Sequence, residues 1–401
     1  MKILIVSQHF HPEPFRINDI AKELVKSGHS VTVLTGLPNY PSGIIPKEYR
    51  FLKQRKELFE GVSILRTSII GRGTSLIRMG LNYLSFAIIA SLQAFFLKEK
   101  YDIVFSFQTS PVSMALPAIA YKSRHKIPFV LYCLDQWPIS LTAGPFKEDT
   151  LAYRFFYHIS RWIYNQADTL LLSSQSFRAY FENVLKISSS DKNLTYWPSY
   201  AESLYQEIAH VENEQFDLVF AGNVGPAQNV EMIVEAANAL KSYTDIHFHI
   251  VGDGLSLWAC KQLAQKYNLN NVSFHGHHPV EEMPKYYAIA DAFLITMVDN
   301  PVVNQTLPAK VQSYMAAKRP ILGAINGEVR NVVEDAQCGL VTSSDDLKGF
   351  ILNILESQKN PNLRSKWAEN GFKYYNEHFN KDILINQLIS IFNDNIQKGR
   401  N

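Results

Sequence analysis

The feature that most constrains the fold of this chain is a repeated alternation of buried strands and helices. Short apolar runs rich in Ile, Val, Leu and Phe recur along the sequence, and a helical pattern follows each of them. Strands that are apolar throughout are typical of parallel sheets covered by helices on both faces. In the first helical pattern, Ile17, Ile20, Ala21, Leu24 and Val25 recur at helical spacing. The predicted fold class is therefore α/β.

The strands fall into two groups, which predict two domains. The first group comprises 2–7, 30–35, 62–67, 102–107, 128–133, 168–172 and 193–197, and the second comprises 217–222, 247–252, 272–276, 292–297, 320–323 and 339–341. A chain of 401 residues exceeds the size at which one core usually keeps growing. We expect doubly wound domains at 1–198 and 216–380, joined by a polar linker at 199–215. Their ligands should bind at the carboxyl ends of the strands, in a cleft between the domains.

Charge and cysteine content exclude several classes of protein. The formal net charge of +2 lacks the basic excess of a dedicated nucleic-acid-binding protein, so no nucleic-acid partner is expected. Cys133, Cys260 and Cys338 form no Cys-x-x-Cys pair, so neither a disulfide framework nor a zinc ribbon is predicted. The amino terminus lacks a secretory apolar region, which favours a cytoplasmic location.

Two segments carry apolar and aromatic residues near arginines. The stretch 80–97 is interrupted by polar residues and is short for a membrane span, so we expect a mostly buried or membrane-touching helix. The stretch 153–164 mixes arginine with aromatic residues at helical spacing. Such helices suit the surface of an anionic bilayer, although core aromatics with ordinary surface arginines would give the same pattern.

Two glycine-bearing turns follow strands of the second domain. Gly222 ends one strand, and the run Gly252, Asp253 and Gly254 ends the next. Backbone amides in such turns can bind phosphate, and two of them in one domain favour a nucleotide site over a pair of tight turns.

The segment 304–317 is the most informative motif. Pro308 suits the first helical position, with Thr306 or Leu307 near the cap. Lys310 and Ser313 are three apart and share a helix face. Lys310 places a cation where the helix dipole opposes it, and an anionic ligand would explain its position.

Arg16 raises the same question in the first domain. The loop after the first strand lacks a GxGxxG dinucleotide fingerprint. Arg16 lies in the first helical turn, where it would face a phosphate or carboxylate ligand, or else pair with Glu13 or Asp19.

Several stretches resemble glycosyltransferase family 4. They are GHSVTVLT at 28–35, HIVGDG at 249–254, YAIADAFLI at 287–295 and KVQSYMAAKRPIL at 310–322. The pieces HPEPFR, TGLPNYPSG, LDQWP, FAGNVGPAQN and LPAKVQSYMAAKRPILGAINGE resemble the bacterial branch that includes N-acetyl-L-fucosaminyl and related amino-sugar transferases of O-antigen and capsule assembly. The resemblance implies a GT-B fold of two Rossmann-like domains facing across a cleft, with a carboxyl-terminal helix, 381–401, returning to the first domain.

The same resemblance implies donor-binding residues, some of which depart from the family pattern. The family often has Glu at the positions of Gln305 and Ser313, which touch the donor sugar and the ribose. Neutral Asn223 and Gln228 stand where many members have an Arg and a Lys on the pyrophosphate. Lys310 is then the main cation for that pyrophosphate.

Further positions follow from the same comparison. Helix amides at 307–309 and Arg16 across the cleft would assist Lys310. His277 lies in the loop that approaches the nucleotide base in this family, although plain surface histidine or metal binding by neighbouring histidines would also account for it. Asp135 is the best candidate to meet the acceptor hydroxyl, with Glu13 as the second. A structural Asp135 is the alternative, because in a retaining transfer the leaving phosphate can accept the proton.

The resemblance thus predicts a retaining glycosyltransferase. It would move a sugar, expected to be an N-acetylated deoxyamino sugar, from a UDP-sugar to a lipid-pyrophosphate-linked saccharide in O-antigen or capsule assembly, as a cytoplasmic enzyme with peripheral contact to the inner face of the membrane. No Asp-x-Asp occurs, so we expect no metal and no cofactor. The alternatives are a sugar-nucleotide epimerase of similar fold and a non-catalytic subunit that binds a nucleotide sugar.

Overall fold

The computed structural model describes residues 1–51, 53–143, 146–188, 193–206 and 208–400. The chain divides into two compact units. The first unit comprises Met1–Ser173, Phe177–Trp197 and Ile385–Asn401, and the second comprises Ser174–Ser176 and Pro198–Leu384.

A sheet of eight strands forms the middle of the first unit. Its strands are β1 (Lys2–Val6), β2 (Ser30–Thr35), β3 (Lys56–Phe59), β4 (Val62–Arg66), β5 (Ile103–Gln108), β6 (Phe129–Cys133), β7 (Thr169–Leu172) and β8 (Asn193–Tyr196). The spatial order is β3-β4-β2-β1-β5-β6-β7-β8, and all pairs are parallel except β3 with β4. The helices are α1 (Ile17–Lys26), α2 (Leu76–Phe96), α3 (Leu116–His125), α4 (Leu151–Gln166), the short α5 (Phe177–Ala179) and, from the far end of the chain, α13 (Lys381–Arg400).

The central strands of this sheet are buried on both faces, as the apolar runs predicted. One core cluster contains Leu131 of β6 together with Phe86 of α2, Ala118 of α3 and Ile163 of α4. Because these side chains meet in a single cluster, the three helices cover the same face of the sheet.

The strand β3 was not predicted from the sequence. Its residues alternate between exposed and half-buried, and it carries Lys56 and Glu57 at the sheet edge. Edge strands are often short and charged, so they lack the apolar run that identifies a central strand. The signal that was available is the Glu60–Gly61 turn, in which both residues have positive φ and which joins β3 to β4 as a hairpin.

The structure distinguishes the two alternatives that were expected for α2. The apolar stretch was expected to be mostly buried or to touch a membrane, and only 28% of its most apolar window is buried inside the protein, so the mostly buried alternative is wrong. By length and composition this helix is long and apolar enough to cross a membrane.

The second unit contains a six-stranded sheet that is parallel throughout. Its strands are β9 (Phe216–Ala221), β10 (Ile246–Val251), β11 (Val272–Gly276), β12 (Ala292–Thr296), β13 (Ile321–Ala324) and β14 (Gly339–Thr342), in the order β11-β10-β9-β12-β13-β14. The helices are α6 (Val230–Ala239), α7 (Leu257–Lys266), α8 (Met283–Ile289), α9 (Lys310–Ala316), α10 (Glu328–Asp335), α11 (Leu347–Lys359) and α12 (Pro361–His378). Two core clusters flank this sheet.

The described residues of the segment that was expected to be a linker, 199–215, belong to the second unit. Tyr205 is buried and stacks on Tyr287, and the backbone N–H of Val211 donates to the carbonyl of Ala288 at 2.9 Å. The segment therefore contributes to the core of the second unit.

The chain returns to the first unit within α13. Phe392 is fully buried and its ring lies 5.4 Å from that of Phe105, centroid to centroid. The hydroxyl of Thr169 donates to Asn395 Oδ1 at 3.1 Å. The residues of α13 from Ile385 onward thus complete the first unit.

Candidate functional site

The loops that follow β9 and β10 lie against each other, backbone to backbone. The N–H of Gly222 donates to the carbonyl of Val251, and the N–H of Val224 donates to that of Asp253, both at 2.9 Å. Gly252 has φ +147°, and a Cβ added there would stand only 1.8 Å from the carbonyl oxygen of Gly222. Glycine is therefore required at Gly252 for the close approach of the two loops.

Lys310 points into this region from α9. Its ammonium lies 4.0 Å from the centroid of the Phe220 ring, and a methyl group on Gly222 would stand 3.2 Å from Nζ. Within the described part of the chain, no carboxylate lies within salt-bridge distance of it. Burial lowers the pKa of Lys310 to about 7, because desolvation disfavours the charged form.

Tyr314 holds α9 against the end of β9. Its hydroxyl accepts from the N–H of Ala221 at 2.9 Å and donates to the carbonyl of the same residue at 3.1 Å. Neither Tyr314 nor Phe220 was predicted from the sequence as a site residue. Both belong to apolar runs that look like ordinary core.

The positions of the missing basic residues are occupied by a pair of amides. Asn223 Nδ2 donates to Gln228 Oε1 at 3.1 Å, and the N–H of Gly225 donates to the same oxygen at 3.2 Å. The carbonyl of Gln228 accepts from the hydroxyl of Thr296 at 2.7 Å, which links this loop to the end of β12. Asn223 and Gln228 therefore shape the loop after β9. Asp253 does the same locally, because its Oδ1 accepts from the N–H of Gly254 at 2.7 Å.

The turn before α9 is held by its own side chains. Gln305 Nε2 donates to the carbonyl of Pro301 at 3.0 Å, and Thr306 Oγ1 donates to that of Val302 at 3.1 Å. Leu307 is buried in the core.

The start of α9 differs from the expectation by two residues. Pro308 was expected at the first helical position, but the helix begins at Lys310 with Ala309 as its cap. The bond from the N–H of Val311 to the carbonyl of Pro308 makes a tighter turn there, so Pro308 precedes the cap.

Ser313 and Lys310 do not share an exposed face. Ser313 is buried, and its hydroxyl donates to the carbonyl of Ala309 at 3.2 Å. Lys310 is partly buried. The helix α9 is covered on almost all sides, because Val311 through Ala316 are all buried.

His277 is exposed in the loop after β11. The next residue, His278, is tied by Nδ1 to Glu282 at 2.9 Å and by Nε2 to the hydroxyl of Tyr286 at 2.7 Å. These contacts hold the loop that presents His277. Burial and neighbouring histidines lower the pKa of His275 to about 4. Among the described residues no group of His, Cys, Asp and Glu is arranged to hold a metal ion.

Glu13 is buried in the first unit and fully engaged. Its Oε1 accepts from the N–H groups of Asn39 at 2.7 Å and Tyr40 at 2.6 Å, and its Oε2 lies 2.9 Å from His9 Nδ1. The His9 ring stacks on Phe15 at 4.8 Å between centroids. Glu13 thus joins the loops after β1 and β2.

Arg16 and Asp135 also lie at the carboxyl edge of this sheet. Arg16 is the cap of α1, one position before the helical turn in which it was expected. Burial raises the pKa of Tyr132, and the charge of Arg16 opposes that shift, so the guanidinium lies within electrostatic reach of β6. Burial also raises the pKa of the Asp135 carboxyl, and hydrogen bonds from Ser110 oppose it.

A buried polar network beside these residues was not predicted. Gln8 Nε2 donates to Asn82 Oδ1 at 2.7 Å, and Asn82 Nδ2 donates to the carbonyl of Ile70 at 2.6 Å and to Asn39 Oδ1 at 3.3 Å. The signal was present in the sequence, because Asn82 interrupts an otherwise apolar helical stretch. A polar residue in such a stretch needs a partner inside the fold.

The structure therefore assembles the predicted residues within each unit. In the second unit it brings Lys310, Gly222 and the glycine run at 252–254 to one edge of the sheet. In the first unit Glu13 bonds to the loop after β2, and Asp135 bonds to Ser110. Glu13 and Asp135 have separate partners.

Comparison with known families matches each unit to a separate model. The model "Glycosyl transferase 4-like domain" matches residues 15–191, and "Glycosyl transferases group 1" matches residues 204–374. The two matches follow each other along the chain in the order of the two units. The chain belongs to glycosyltransferase family 4.

Individual relatives of this family 4 glycosyltransferase are distant. WbjE of Pseudomonas aeruginosa, described as a glycosyltransferase, is 26% identical over 255 residues, which are 59% of this chain and 61% of WbjE. The match thus spans less than two thirds of that relative. WcaI of Escherichia coli K12, described as a colanic acid biosynthesis glycosyl transferase, is 21% identical over 339 residues, which are 79% of this chain and 81% of WcaI.

Solved structures confirm the GT-B fold of this family 4 enzyme. HepE of Anabaena, crystallised with UDP-glucose, superposes with a TM-score of 0.70 at 14% identity, covering 98% of this chain and 100% of HepE. The predicted α/β class, the fold and the resemblance to family 4 are confirmed.

Proposed function

We propose that this glycosyltransferase is a retaining enzyme that takes its sugar from a UDP-linked donor bound by the second unit. The observation that carries the proposal is Lys310. It is a partly buried cation with no carboxylate within salt-bridge distance among the described residues, beside Gly222, where an added Cβ would stand 3.2 Å from its Nζ. A pyrophosphate bound there would supply the missing negative charge.

The pKa of Lys310 suits this role. In the ligand-free protein, burial lowers that pKa to about 7. A bound pyrophosphate favours the charged ammonium and raises the pKa again. As the bond between the anomeric carbon and the phosphate breaks, charge develops on the leaving UDP, and a fixed ammonium stabilises it.

The remaining donor residues shape the site in this proposal. The glycines at Gly222, Gly252 and Gly254 let the backbone come close to the phosphates. Gln305 and Thr306 lie in the turn before α9 and would contact the sugar, while His277 would lie near the base. Asn223 and Gln228 hold the loop and carry no charge, so Lys310 has to act without the Arg and Lys of other family members.

Relatives support the chemical class of the substrates. HepE binds UDP-glucose and has the same fold, which supports a UDP-sugar donor. WcaI is described as acting in colanic acid biosynthesis, which supports surface polysaccharide assembly. From the resemblance to amino-sugar transferases we propose an N-acetylated deoxyamino sugar, a lipid-pyrophosphate-linked saccharide as acceptor, and a location at the inner face of the membrane. We further propose that the reaction needs no metal and no cofactor.

Asp135 is the proposed acceptor group of the first unit. In this role the Asp135 carboxyl has to be ionised, so activity should fall at low pH as the carboxyl becomes protonated. Because its pKa is raised, this acid limb of the pH–activity profile should lie at a higher pH than an ordinary Asp would give. Asp135→Asn should depress transfer and leave UDP affinity unchanged. Ser110→Ala removes the side-chain hydrogen bond that lowers this pKa and keeps the backbone one, so the acid limb should move to higher pH. A Ser110→Ala profile identical to wild type would refute the ionised role.

Calorimetry with UDP, GDP, CMP and dTDP, each with and without magnesium, tests the donor site. Selective UDP binding that ignores magnesium is the expected result, and binding of none of the four would refute the donor site. Turnover assays then separate the alternatives. An epimerase would interconvert a UDP-sugar without acceptor, whereas a non-catalytic subunit would bind UDP with no turnover under any acceptor.

A further inference from the structure

The helix α2 of the first unit is apolar on its outward side as well as on its buried side. Its outward residues Ile77, Leu84 and Ile88 are 78%, 54% and 52% exposed. Its buried residues are Asn82, Ser85, Phe86, Ala87, Ala90 and Ala94. A helix on the surface of a water-soluble domain normally carries polar residues on its outward face.

The exposed apolar residues of α2 form one continuous stripe. They are Ile77, Leu81, Leu84, Ile88, Leu92 and Phe95, and we call this set the α2 stripe. Consecutive members are three or four positions apart, so they lie on one face of the helix. With a rise of about 1.5 Å per residue the stripe is roughly 27 Å long. A continuous exposed apolar surface of this length marks an interaction site.

Polar residues of the buried side anchor α2 in the first unit. Asn82 bonds to Gln8, Asn39 and the carbonyl of Ile70, and Ser85 Oγ accepts from the N–H of Ile70 at 3.0 Å. These bonds would be lost if the helix left the unit to cross a bilayer. The stripe therefore has to find its partner while the helix stays packed in the domain.

A second helix extends the same surface. On α4, Phe155 and Trp162 are exposed, beside the exposed Arg154 and Arg161. Since α2, α3 and α4 contribute to one core cluster, they cover the same face of the sheet. Aromatic residues next to arginines are typical of segments at a membrane interface.

The charged residues of α2, α3 and α4 are all basic. The segments 76–96, 116–125 and 151–166 contain arginine and lysine but neither Asp nor Glu, although the whole chain has 39 basic and 37 acidic residues. Arg124 of α3 lies over Phe95 of the stripe at 5.7 Å. Basic charge around an apolar stripe complements an anionic lipid surface, whereas a second copy of the same basic face would repel it.

We propose that the α2 stripe, together with the exposed aromatic residues of α4, docks the enzyme on an anionic lipid bilayer, with α2 lying in the plane of the interface. The docking needs no donor or acceptor. It is therefore independent of the proposed donor site, and each can fail without the other.

Vesicle flotation of the full chain tests this proposal in the absence of any sugar nucleotide. The protein should float with vesicles made of an equimolar mixture of phosphatidylcholine and phosphatidylglycerol. Its affinity for vesicles of phosphatidylcholine alone should be lower by about tenfold or more. The double variant Leu84→Gln, Ile88→Gln should lose about tenfold or more in affinity for the anionic vesicles. The variant Arg154→Gln, Arg161→Gln should lose affinity for anionic vesicles only.

Leu255 and Leu352 provide the matched control. Both are exposed leucines of the second unit, and changing both to Gln should leave flotation at the wild-type level. UDP affinity and far-UV circular dichroism should be unchanged in all variants, which separates a docking defect from misfolding and from a donor-site defect.

Four results would overturn the proposal. Wild-type protein that stays unbound with anionic vesicles would do so, as would full binding by the Leu84→Gln, Ile88→Gln variant. A dimer that dissociates in that variant, with no vesicle binding, would assign the stripe to a second copy of the chain. Resistance to alkaline carbonate extraction would assign α2 to a membrane span.

Discussion

At the residue scale, the proposed role of Lys310 combines a cost in stability with a gain in binding. Its pKa in the folded, ligand-free protein is lowered to about 7 from the ordinary value of 10.5. Burial of this lysine therefore lowers the free energy of unfolding. The loss is absent at a pH above the pKa of the lysine in the unfolded chain, and it grows as the pH falls toward about 7. Residues selected for binding charged ligands often carry such a penalty.

Lys310→Met should therefore stabilise the ligand-free protein and weaken UDP binding. We expect the free energy of unfolding at neutral pH to rise by on the order of 1 kcal/mol and UDP affinity to fall about tenfold or more. Thermal unfolding and calorimetry measure the two effects. For the wild type, UDP affinity should fall as the pH rises above about 7, where the ligand-free ammonium loses its proton.

The exposed Lys348→Met is the matched control for this prediction. It should change neither the unfolding temperature nor the UDP affinity. A Lys310→Met protein that binds UDP like wild type would remove Lys310 from the donor site.

We predict that Glu13 stabilises the first unit and does not contact the substrates. Its carboxylate accepts two backbone N–H groups and contacts His9, so Glu13→Ala leaves buried donors without a partner. We expect a loss of about 2–4 kcal/mol in the free energy of unfolding, measured with denaturant, and a smaller loss for Glu13→Gln. UDP affinity should be unchanged. Wild-type stability combined with abolished transfer would instead support the acceptor role expected from the sequence.

At the element scale, the strand and its following loop are the unit that positions the proposed donor residues. Gly252→Ala tests this directly, because its Cβ would collide with the carbonyl oxygen of Gly222 at 1.8 Å. We expect a loss of more than about 2 kcal/mol in unfolding free energy together with weaker UDP binding. The matched control is Gly80→Ala on α2, where an added Cβ meets nothing within 4 Å. That change should stabilise the helix slightly.

The sequence predicted the elements far better than it predicted which faces they bury. Every predicted strand is present, since a run of Ile, Val and Leu buried on both faces is its own signature. The edge strand β3 lacks that run and was missed. On α2 the apolar content was expected to be mostly buried or to touch a membrane, and the structure leaves Ile77, Leu84 and Ile88 exposed while Asn82 and Ser85 are among the buried residues. Hydrophobic periodicity identifies a stripe and leaves open whether the core or another surface covers it.

In the candidate site, too, local patterns could be predicted from the sequence, whereas tertiary contacts could not. Glycine turns and an isolated lysine at a helix start are local patterns, so Gly222, Gly252 and Lys310 could be proposed from the sequence, and the structure places them close together. The bond between Asn223 and Gln228 depends on the path of a loop, and the burial of Ser313 depends on what surrounds α9. Neither contact leaves a signal in residue spacing.

At the scale of the whole molecule, the first unit depends on a distant part of the chain. Phe392 is fully buried against Phe105, so Phe392→Ala should cost the first unit about 3–5 kcal/mol. Calorimetric unfolding should show an earlier transition for that unit, while UDP binding by the second unit is retained at room temperature. Ile383→Ala, an exposed change on the same helix, should leave the unfolding profile unaltered. If Phe392→Ala lost UDP affinity as well as stability, the prediction that the second unit binds UDP independently of the first would be contradicted.

The return of α13 to the first unit also imposes an order of events during synthesis. Between Trp197, where the main part of the first unit ends, and Ile385, where its remainder begins, the ribosome translates the whole of Pro198–Leu384. At common elongation rates this takes roughly ten to forty seconds. Throughout that interval the nascent first sheet exposes the apolar surface around Phe105 that Phe392 later covers. We therefore expect a nascent-chain chaperone to bind the growing polypeptide at this surface.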